Sequence, residues 1–215
     1  MSAYTGNGTS GHTLPIHLLK APEVVILKRR AGSADWWGTF HIGTDSSAPE
    51  DYYLPFDAND ARQDLAGFLN DTLPTASVVT LGNNSGVNGN DVTYLMYAWH
   101  SVDGFSKFGS YTGNNDAEGP FICCNFRPQM VITRRTDSGD HWRIIDNKRH
   151  TVNDGSAPGL KLNDTDQEAD AGNRNIDFLS NGFKIRDTDA DTNANGGNYV
   201  YMAFAETPFK YSNAK

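Results

Sequence analysis

The chain has 215 residues, of which 38% are hydrophobic and 11% aromatic, and its formal net charge is −8. This length suits one large domain or two domains of about 100 residues each. The acidic balance argues against binding to duplex DNA or to an anionic membrane, and an apolar run of about 18 residues, which would predict a membrane span, is absent from the sequence.

Short strands separated by polar turns are predicted along the chain. Residues 24–27 and 94–99 are apolar on both alternating faces, which predicts strands covered on both sides. Residues 36–42 alternate, so Trp36 and Trp37 face opposite ways on a half-buried strand. The best helical pattern covers residues 59–70, with a weaker counterpart at 167–171. Many short strands and few helices predict an all-β fold.

The sequence repeats itself at a spacing of 104 to 107 residues. Tyr4-Thr5-Gly6-Asn7 recurs at residues 111–114, and four further blocks recur in the same order. The pattern predicts two tandem homologous antiparallel β-sandwich domains of a jelly-roll or lectin-like type, covering residues 1–108 and 109–215. In this alignment Trp36 matches Trp142, and Trp37 matches Arg143.

The second copy carries a series of specific blocks. They read YTGN at 111–114, GPF at 119–121, FRP at 126–128, ITRRTD at 132–137, FLSNGFKIR at 178–186 and YMAFAETPFK at 201–210. This series resembles a domain found, often in tandem, near the C-termini of tail-fibre-like and other virion proteins of tailed bacteriophages, notably those of aquatic hosts. The resemblance implies a structural role in the virion and recognition of a surface, and it supplies no catalytic residues.

The leading hypothesis is therefore a non-enzymatic bacteriophage virion protein, made in the host cytoplasm, that acts as a tail fibre or receptor-binding tip in host attachment. The alternatives are a capsid decoration protein and a carbohydrate-binding module. Other virion proteins and a host-surface glycan are the expected partners, and a homo-oligomer, preferably a trimer, is expected because virion sites impose symmetry. The hypothesis includes no cofactor, no nucleic-acid partner and no membrane insertion. An enzyme acting on polysaccharide through Asp146 and Glu206 is the third hypothesis.

Several residues are candidates for a ligand or subunit interface. An outward Trp37 is a potential platform for a sugar ring or a subunit, and because Tyr52 and Tyr53 are adjacent, one of them faces outward. The matched partner of Trp37, Arg143, belongs to the same candidate surface. Two basic pairs recur at one position in both copies, Lys28-Arg29 and Arg134-Arg135. They suit carboxylates across the sheet, a polyanionic glycan or a neighbouring subunit.

A calcium loop is the weakest candidate site. Asp187, Asp189 and Asp191 place oxygen ligands at every second residue, as calcium loops do. However, Thr192 stands at the glycine position of an EF-hand and Asn198 at its closing glutamate, so a solvated hairpin loop is favoured and no metal is assigned.

Overall fold

The computed structural model describes residues 1–30, 37–149, 153, 159–168 and 175–207. Contacts within the chain divide it into two compact units, Met1–His100 and Ser101–Lys215. Both units are built from antiparallel β-sheets with only short helices, so the predicted all-β class is confirmed. Among the helices of the described ranges, none is long and apolar enough to cross a membrane.

The first unit contains eight described strands. They are β1 Ser2–Thr5, β2 His12–Pro15, β3 Val24–Arg29, β4 Trp37–His41, β5 Tyr52–Pro55, β6 Gln63–Asp64, β7 Val78–Leu81 and β8 Thr93–Trp99. A six-stranded sheet has the order β1-β8-β3-β4-β5-β6, and β2 pairs with β7 in a second sheet. The core combines side chains from both sheets with Phe68 of helix α1, Ala66–Leu69, and Val87 of helix α2, Ser85–Asn88. A short 3-10 helix covers Pro49–Asp51.

The second unit has a similar plan. Its strands are β9 Ser106–Thr112, β10 Phe121–Cys123, β11 Pro128–Arg135, β12 Arg143–Asp146, β13 Leu160–Lys161, β14 Ile176–Leu179, β15 Gly182–Ile185 and β16 Asn198–Ala205, and helix α3 covers Ala190–Asn193. One sheet has the order β13-β12-β11-β16-β9 and the other β10-β15-β14. Residues 101–108, assigned above to the first copy, lie in this unit because β9 pairs with β16 from Ser106 onward.

Of two predicted buried strands one is confirmed, and the predicted helix is shorter than expected. Residues 24–27 are buried on both faces of β3, as the continuous apolar run predicts. Strand β8 instead buries Tyr94 and Met96, whereas its other side chains are half-buried, so coverage on both sides was wrong for this strand. The helix expected over 59–70 shrinks to α1, because Gln63–Asp64 pairs with β5 and Asn70 adopts a left-handed φ of 56° that ends the helix. The counterpart at 167–171 falls largely outside the described residues.

Strand register shows how the two units correspond. Tyr4 pairs with Tyr94 on β1 and β8, and Tyr111 pairs with Tyr199 on β9 and β16. Strands β4 and β12, the fourth strand of each unit, depart from the predicted alignment by one residue. Gly38 pairs with Leu27, whereas Arg143 pairs with Thr133, the residue that matches Leu27. Arg143 therefore takes the place of Gly38, and Trp142 that of Trp37. The predicted matches of Trp36 with Trp142 and Trp37 with Arg143 are wrong, because the second connection is one residue shorter. Trp36 itself lies outside the described residues.

Candidate binding surface and charged cluster

The repeated Tyr-Thr-Gly-Asn motif holds the end of the first unit together. The Tyr4 hydroxyl donates to the Val87 carbonyl at 2.7 Å, and the Asn7 backbone N–H donates to Asn88 Oδ1 at 3.0 Å. Gly6 is required by space, because a Cβ atom there would lie 2.4 Å from the Gly89 carbonyl oxygen. Asn88 is fully buried and also donates to two backbone carbonyls.

The second unit repeats this arrangement. Tyr111 donates to the Thr192 carbonyl at 2.8 Å, the Asn114 N–H donates to Asn193 Oδ1 at 2.8 Å, and a Cβ on Gly113 would lie 2.3 Å from the Ala194 oxygen. The named hydrogen bonds of each motif therefore lie inside its own unit. The motif thus has a structural role in both units, which explains why the sequence repeats.

An aromatic row distinguishes the first unit. We use this name for Trp37 on β4 and Tyr97 and Trp99 on β8. The rings of Trp37 and Tyr97 are 6.5 Å apart and inclined by 13°, and those of Tyr97 and Trp99 are 6.0 Å apart and inclined by 8°. Phe56 extends the row beyond Trp37, and Lys28 Nζ lies 5.3 Å from the Trp37 ring centroid. All three rings are half-buried, so each keeps some accessible surface.

The row points away from the first unit's core. On β8 the core side chains are Met96 and Ala98, and Tyr97 alternates with them. In the second unit the matching positions hold Trp142, Met202 and Phe204, and of these Trp142 and Met202 are buried. Partly accessible, near-parallel aromatic rings at these positions are thus a property of the first unit.

The adjacent tyrosines separate as predicted. Tyr53 packs on Phe68, with ring centroids 5.6 Å apart, and its hydroxyl donates to Gln63 Oε1 at 3.0 Å. Tyr52 lies on the other face of β5, where the Arg62 guanidinium carbon is 4.4 Å from its ring centroid. Tyr53 therefore belongs to the core, and Tyr52 is the partly accessible residue.

The residues of the two basic pairs have different surroundings. Lys28 lies against the aromatic row, and Arg29 pairs with Tyr94 in the strand ladder. Arg134 is fully buried, so its predicted place on an accessible interface is wrong. Arg135 bonds Asp137 in the following turn at 2.8 Å, and a hydrogen bond from Arg135 lowers the pKa of Asp137 although burial opposes it.

A buried charged cluster distinguishes the second unit. Arg143, expected at the surface, is only 3% exposed, and its Nε donates to Asp191 Oδ2 at 2.7 Å. The expectation is wrong because Asp191, 48 residues away on α3, supplies a buried counter-charge. Asp140 Oδ2 lies 3.5 Å from Arg135 Nη1. Burial, followed by its interaction with the Asp191 carboxylate, raises the pKa of Asp140 to about 7.

The three carboxylates of the weak calcium loop have separate tasks. Asp187 accepts from Thr192 Oγ1 at 2.6 Å, and burial raises its pKa to about 6. Asp189 caps α3 by accepting from the Asp191 N–H at 2.9 Å. Asp191 binds Arg143. Within the described part of the chain, no group of three or more His, Cys, Asp or Glu side chains could hold a metal ion.

One family model, described as Domain of unknown function (DUF7483), matches residues 1–208. This chain belongs to that family. The match to DUF7483 runs through both compact units, so the family model spans the pair. No curated protein and no solved structure shows significant similarity to the chain.

The two acids of the enzyme hypothesis are paired with cations in this DUF7483 chain. Burial would raise the pKa of Asp146, but hydrogen bonds from Arg149, including one of 2.6 Å from its Nε, outweigh burial and lower it. Glu206 lies 3.0 Å from Arg127 Nε and 3.8 Å from Lys148 Nζ. A general acid needs a raised pKa, so the surroundings of Asp146 oppose that role.

Sequence reasoning missed Asp140 and the partner of Arg143. The comparison of the two copies shows a signal only in the strand register that the structure sets. Gly38 is replaced by Arg143, and Gly86, the second residue of α2, is replaced by Asp191, the second residue of α3. The simultaneous gain of opposite charges at two glycine positions indicates a contact.

Proposed function

We propose that this chain is a non-enzymatic structural protein of a bacteriophage virion that binds a surface through the aromatic row of its first unit. The family-like series of motifs in the second copy supports the virion role. The observation that carries the binding role is the set of near-parallel, half-buried rings of Trp37, Tyr97 and Trp99. At the matching positions of the second unit, Trp142 and Met202 are buried. Trp and Tyr rings supply much of the energy of protein interfaces.

The proposal also covers the type of domain that the two units form. The two units are taken to be tandem homologous β-sandwiches of a jelly-roll or lectin-like type, and the matched strand registers and duplicated Tyr-Thr-Gly-Asn contacts support a common origin. The preferred role is a tail fibre or receptor-binding tip that attaches to the host, with capsid decoration as the alternative. A trimer is proposed for either location.

The virion role is tested by locating the protein on particles. Antibodies raised against the purified chain are applied to phage particles from the source culture and detected by immunogold electron microscopy. Label at the tail tip supports the fibre role, and label on the head supports decoration. Particles that carry no label, together with absence of the chain from their mass spectrum, would refute a virion role.

A carbohydrate-binding module is the second candidate function, and the aromatic row favours it because flat apolar rings pack against apolar faces of ligands. Glycan-array binding followed by calorimetric titration tests it. Trp99→Ala should weaken binding at least tenfold. Phe121→Ala is the matched control, because Phe121 is an aromatic of the second unit that is 46% exposed. Flat titrations with the unmodified chain across the array would remove this candidate.

A further variant, Trp37→Ala, tests the oligomer. Light scattering at several concentrations gives the mass in solution, and a trimer is expected. If an oligomer forms and Trp37→Ala changes neither its mass nor its stability, the row does not form the subunit contact.

A further inference from the structure

Strand β10 is an edge strand that leaves part of its main chain open to a further strand. Its sheet has the order β10-β15-β14, so β10 pairs with a described strand on one side only. Every second residue bonds β15: the Pro120 carbonyl accepts a bond of 3.1 Å, and the Cys124 N–H donates one of 2.9 Å. Ile122 belongs to this alternating set, so the N–H and C=O groups of Phe121 and Cys123 point outward. Among the described residues, no other backbone group bonds these outward groups.

The opposite edge of the same sheet is closed by a side chain. The Asn153 amide group donates to the Phe178 carbonyl of β14 at 3.2 Å and accepts from the Phe178 N–H at 3.1 Å. One side chain thus occupies both of the main-chain groups that a further strand would use. Proteins commonly block sheet edges in such ways, because an open edge is a template for pairing with another chain.

The matching edge of the first unit is closed by a proline. Strand β2 corresponds to β10, because it pairs with β7, whose residues 79–81 match residues 183–185 of β15 in the internal repeat. Leu14 and Ile122 are the buried residues of the two edge strands, so Pro15 takes the place of Cys123. A proline has no N–H to donate and prevents a further strand from pairing there. Cys123 retains the outward N–H that Pro15 lacks.

The side chains of β10 suit a partner strand as well. Ile122 points into the core, whereas Phe121 is 46% exposed and Cys123 is exposed beside it. Across the ladder, Cys123 faces Gly182, which has no side chain to cover the outer face of the sheet at this point. An aromatic ring from an adjoining strand can lie over such a glycine and pack against its neighbour.

We propose that β10 pairs with β10 of a second copy of this chain, in antiparallel orientation about a two-fold axis at Ile122. Phe121 of each copy then stands opposite Cys123 of the other, and each of these two pairs exchanges two main-chain hydrogen bonds. Each Phe121 ring lies over Cys123 and Gly182 of the other copy, and one sheet continues through both. The contact is self-complementary, as a two-fold interface requires. The inference does not depend on the proposed virion role, since a two-fold contact can join single chains or trimers.

The charges that flank β10 favour an antiparallel copy. Asp116 and Glu118 precede the strand and Arg127 follows it, and the side chains of Glu118 and Arg127 are 64% and 45% exposed. An antiparallel copy brings the acidic end of one strand beside the basic end of the other, whereas a parallel copy would bring like charges together. Glu118 already lies 2.6 Å from Lys184, and Arg127 lies 3.0 Å from Glu206. These exposed charges therefore set the direction of pairing and add little to its strength.

The contact is short, which sets its expected strength. Pro120 offers no N–H at one end, and at the other end Asn125 adopts a left-handed φ of 65° that ends the strand. Two bonded pairs and two rings form a much smaller contact than the roughly 1,600 Å² of a standard stable interface. Pairing through β10 alone should therefore be weak in dilute solution and stronger where copies are held close together.

Disulfide trapping in the full chain tests this register. Residues opposite each other in a hydrogen-bonded antiparallel pair have Cα atoms about 5.5 Å apart, which a disulfide can span. The two Cys123 residues would be diagonal neighbours about 7–8 Å apart, beyond the usual range of a disulfide. Under mild oxidation, Phe121→Cys should therefore form a covalent dimer at least about tenfold faster than the unmodified chain, read by non-reducing electrophoresis. Mixing isotope-labelled and unlabelled protein, followed by peptide mass spectrometry, shows that the bridge joins two chains.

The matched control is the double variant Phe121→Cys/Cys123→Ser. It keeps a thiol at the edge but has none directly opposite in the second copy, so it should cross-link no faster than the unmodified chain. A Phe121→Cys variant that cross-links no faster than the unmodified chain overturns the inference and leaves the edge to solvent or to a strand of another protein. Equal cross-linking of the single and double variants overturns it too, because it would show random collision or another register.

A proline substitution tests the contact without a covalent bond. Cys123→Pro gives this edge the residue that closes β2 and leaves the ladder to β15 intact, because the Cys123 N–H points outward. It should weaken pairing at high protein concentration by about tenfold or more, measured by sedimentation, since each copy loses a main-chain donor. Cys123→Ser keeps the N–H and should pair as the unmodified chain does. Equal association of the proline and serine variants would contradict pairing through this edge.

Discussion

Asn88 ends helix α2 and Asn193 ends helix α3, and both are buried. The two residues allow a matched test of how much their hydrogen bonds stabilise each unit. Asn193 is fully buried and donates through Nδ2 to the carbonyls of Asp187 at 2.6 Å and Asp116 at 2.9 Å, while its Oδ1 accepts from the Asn114 N–H at 2.8 Å. Asn193→Ala removes all of these partners at once. Asn88→Ala is the same perturbation in the first unit.

The expected magnitude follows from the partners left behind. The Asp187 carbonyl loses a bond that is fully buried, which costs about 1–3 kcal/mol, and two partly buried groups lose about 0.5–1.5 kcal/mol each. Asn193→Ala should therefore lower the free energy of unfolding of the second unit by about 2–6 kcal/mol. Asn88 has one buried and two partly buried backbone partners as well, so a similar loss is expected in the first unit.

Urea titration with pulsed hydrogen exchange, read on peptides from each unit, measures the two losses separately. At a slope of about 2 kcal/mol per M of urea, the midpoint should fall by roughly 1–3 M in the altered unit. Asn90→Ala is the control, because the exposed Asn90 side chain bonds only Asp91 at 2.8 Å, and a change within about 0.5 kcal/mol is expected. A loss below about 1 kcal/mol for Asn193→Ala would refute the reasoning, since it would mean that the abandoned backbone groups find other partners.

Three further predictions concern the second unit. Gly113→Ala should lower the free energy of unfolding in urea by about 1–3 kcal/mol, because its Cβ would lie 2.3 Å from the Ala194 oxygen. Gly159→Ala is the control, because its Cβ would lie 3.6 Å from Ile145. Equal effects of the two changes would contradict the steric account. Arg143→Met should lower the free energy of unfolding by about 3–5 kcal/mol, because it leaves the buried Asp191 without its cation. Adding Asp191→Gly should recover much of this loss. A double variant no more stable than Arg143→Met would count against the ion pair as the cause. The raised pKa of Asp187, about 6, favours the folded unit at low pH. About 2 kcal/mol of stability should therefore be lost between pH 4 and 6 relative to Asp187→Asn in pH-dependent unfolding, and parallel curves would exclude the effect.

The sequence by itself determined the all-β class and the internal repeat. A continuous apolar run is a local property of the sequence, and the run at residues 24–27 predicts the burial that the structure shows on both faces of β3. The Tyr-Thr-Gly-Asn motif recurs because close packing leaves no room for a side chain at Gly6 or Gly113, so the same short string is needed in each unit. The split between Tyr52 and Tyr53 also follows from alternation, although only the structure shows which of them is buried.

Tertiary structure alone decided the register of the fourth strand in each unit and the fate of the charged residues. A connection shorter by one residue moves every following side chain to the opposite face, which is why Arg143 takes the place of Gly38 rather than that of Trp37. Arg143 is then buried because Asp191, far away in the sequence, supplies its counter-charge. Neither partner carries a local sign of burial, since the free energy of a buried charge depends on which groups the fold brings beside it.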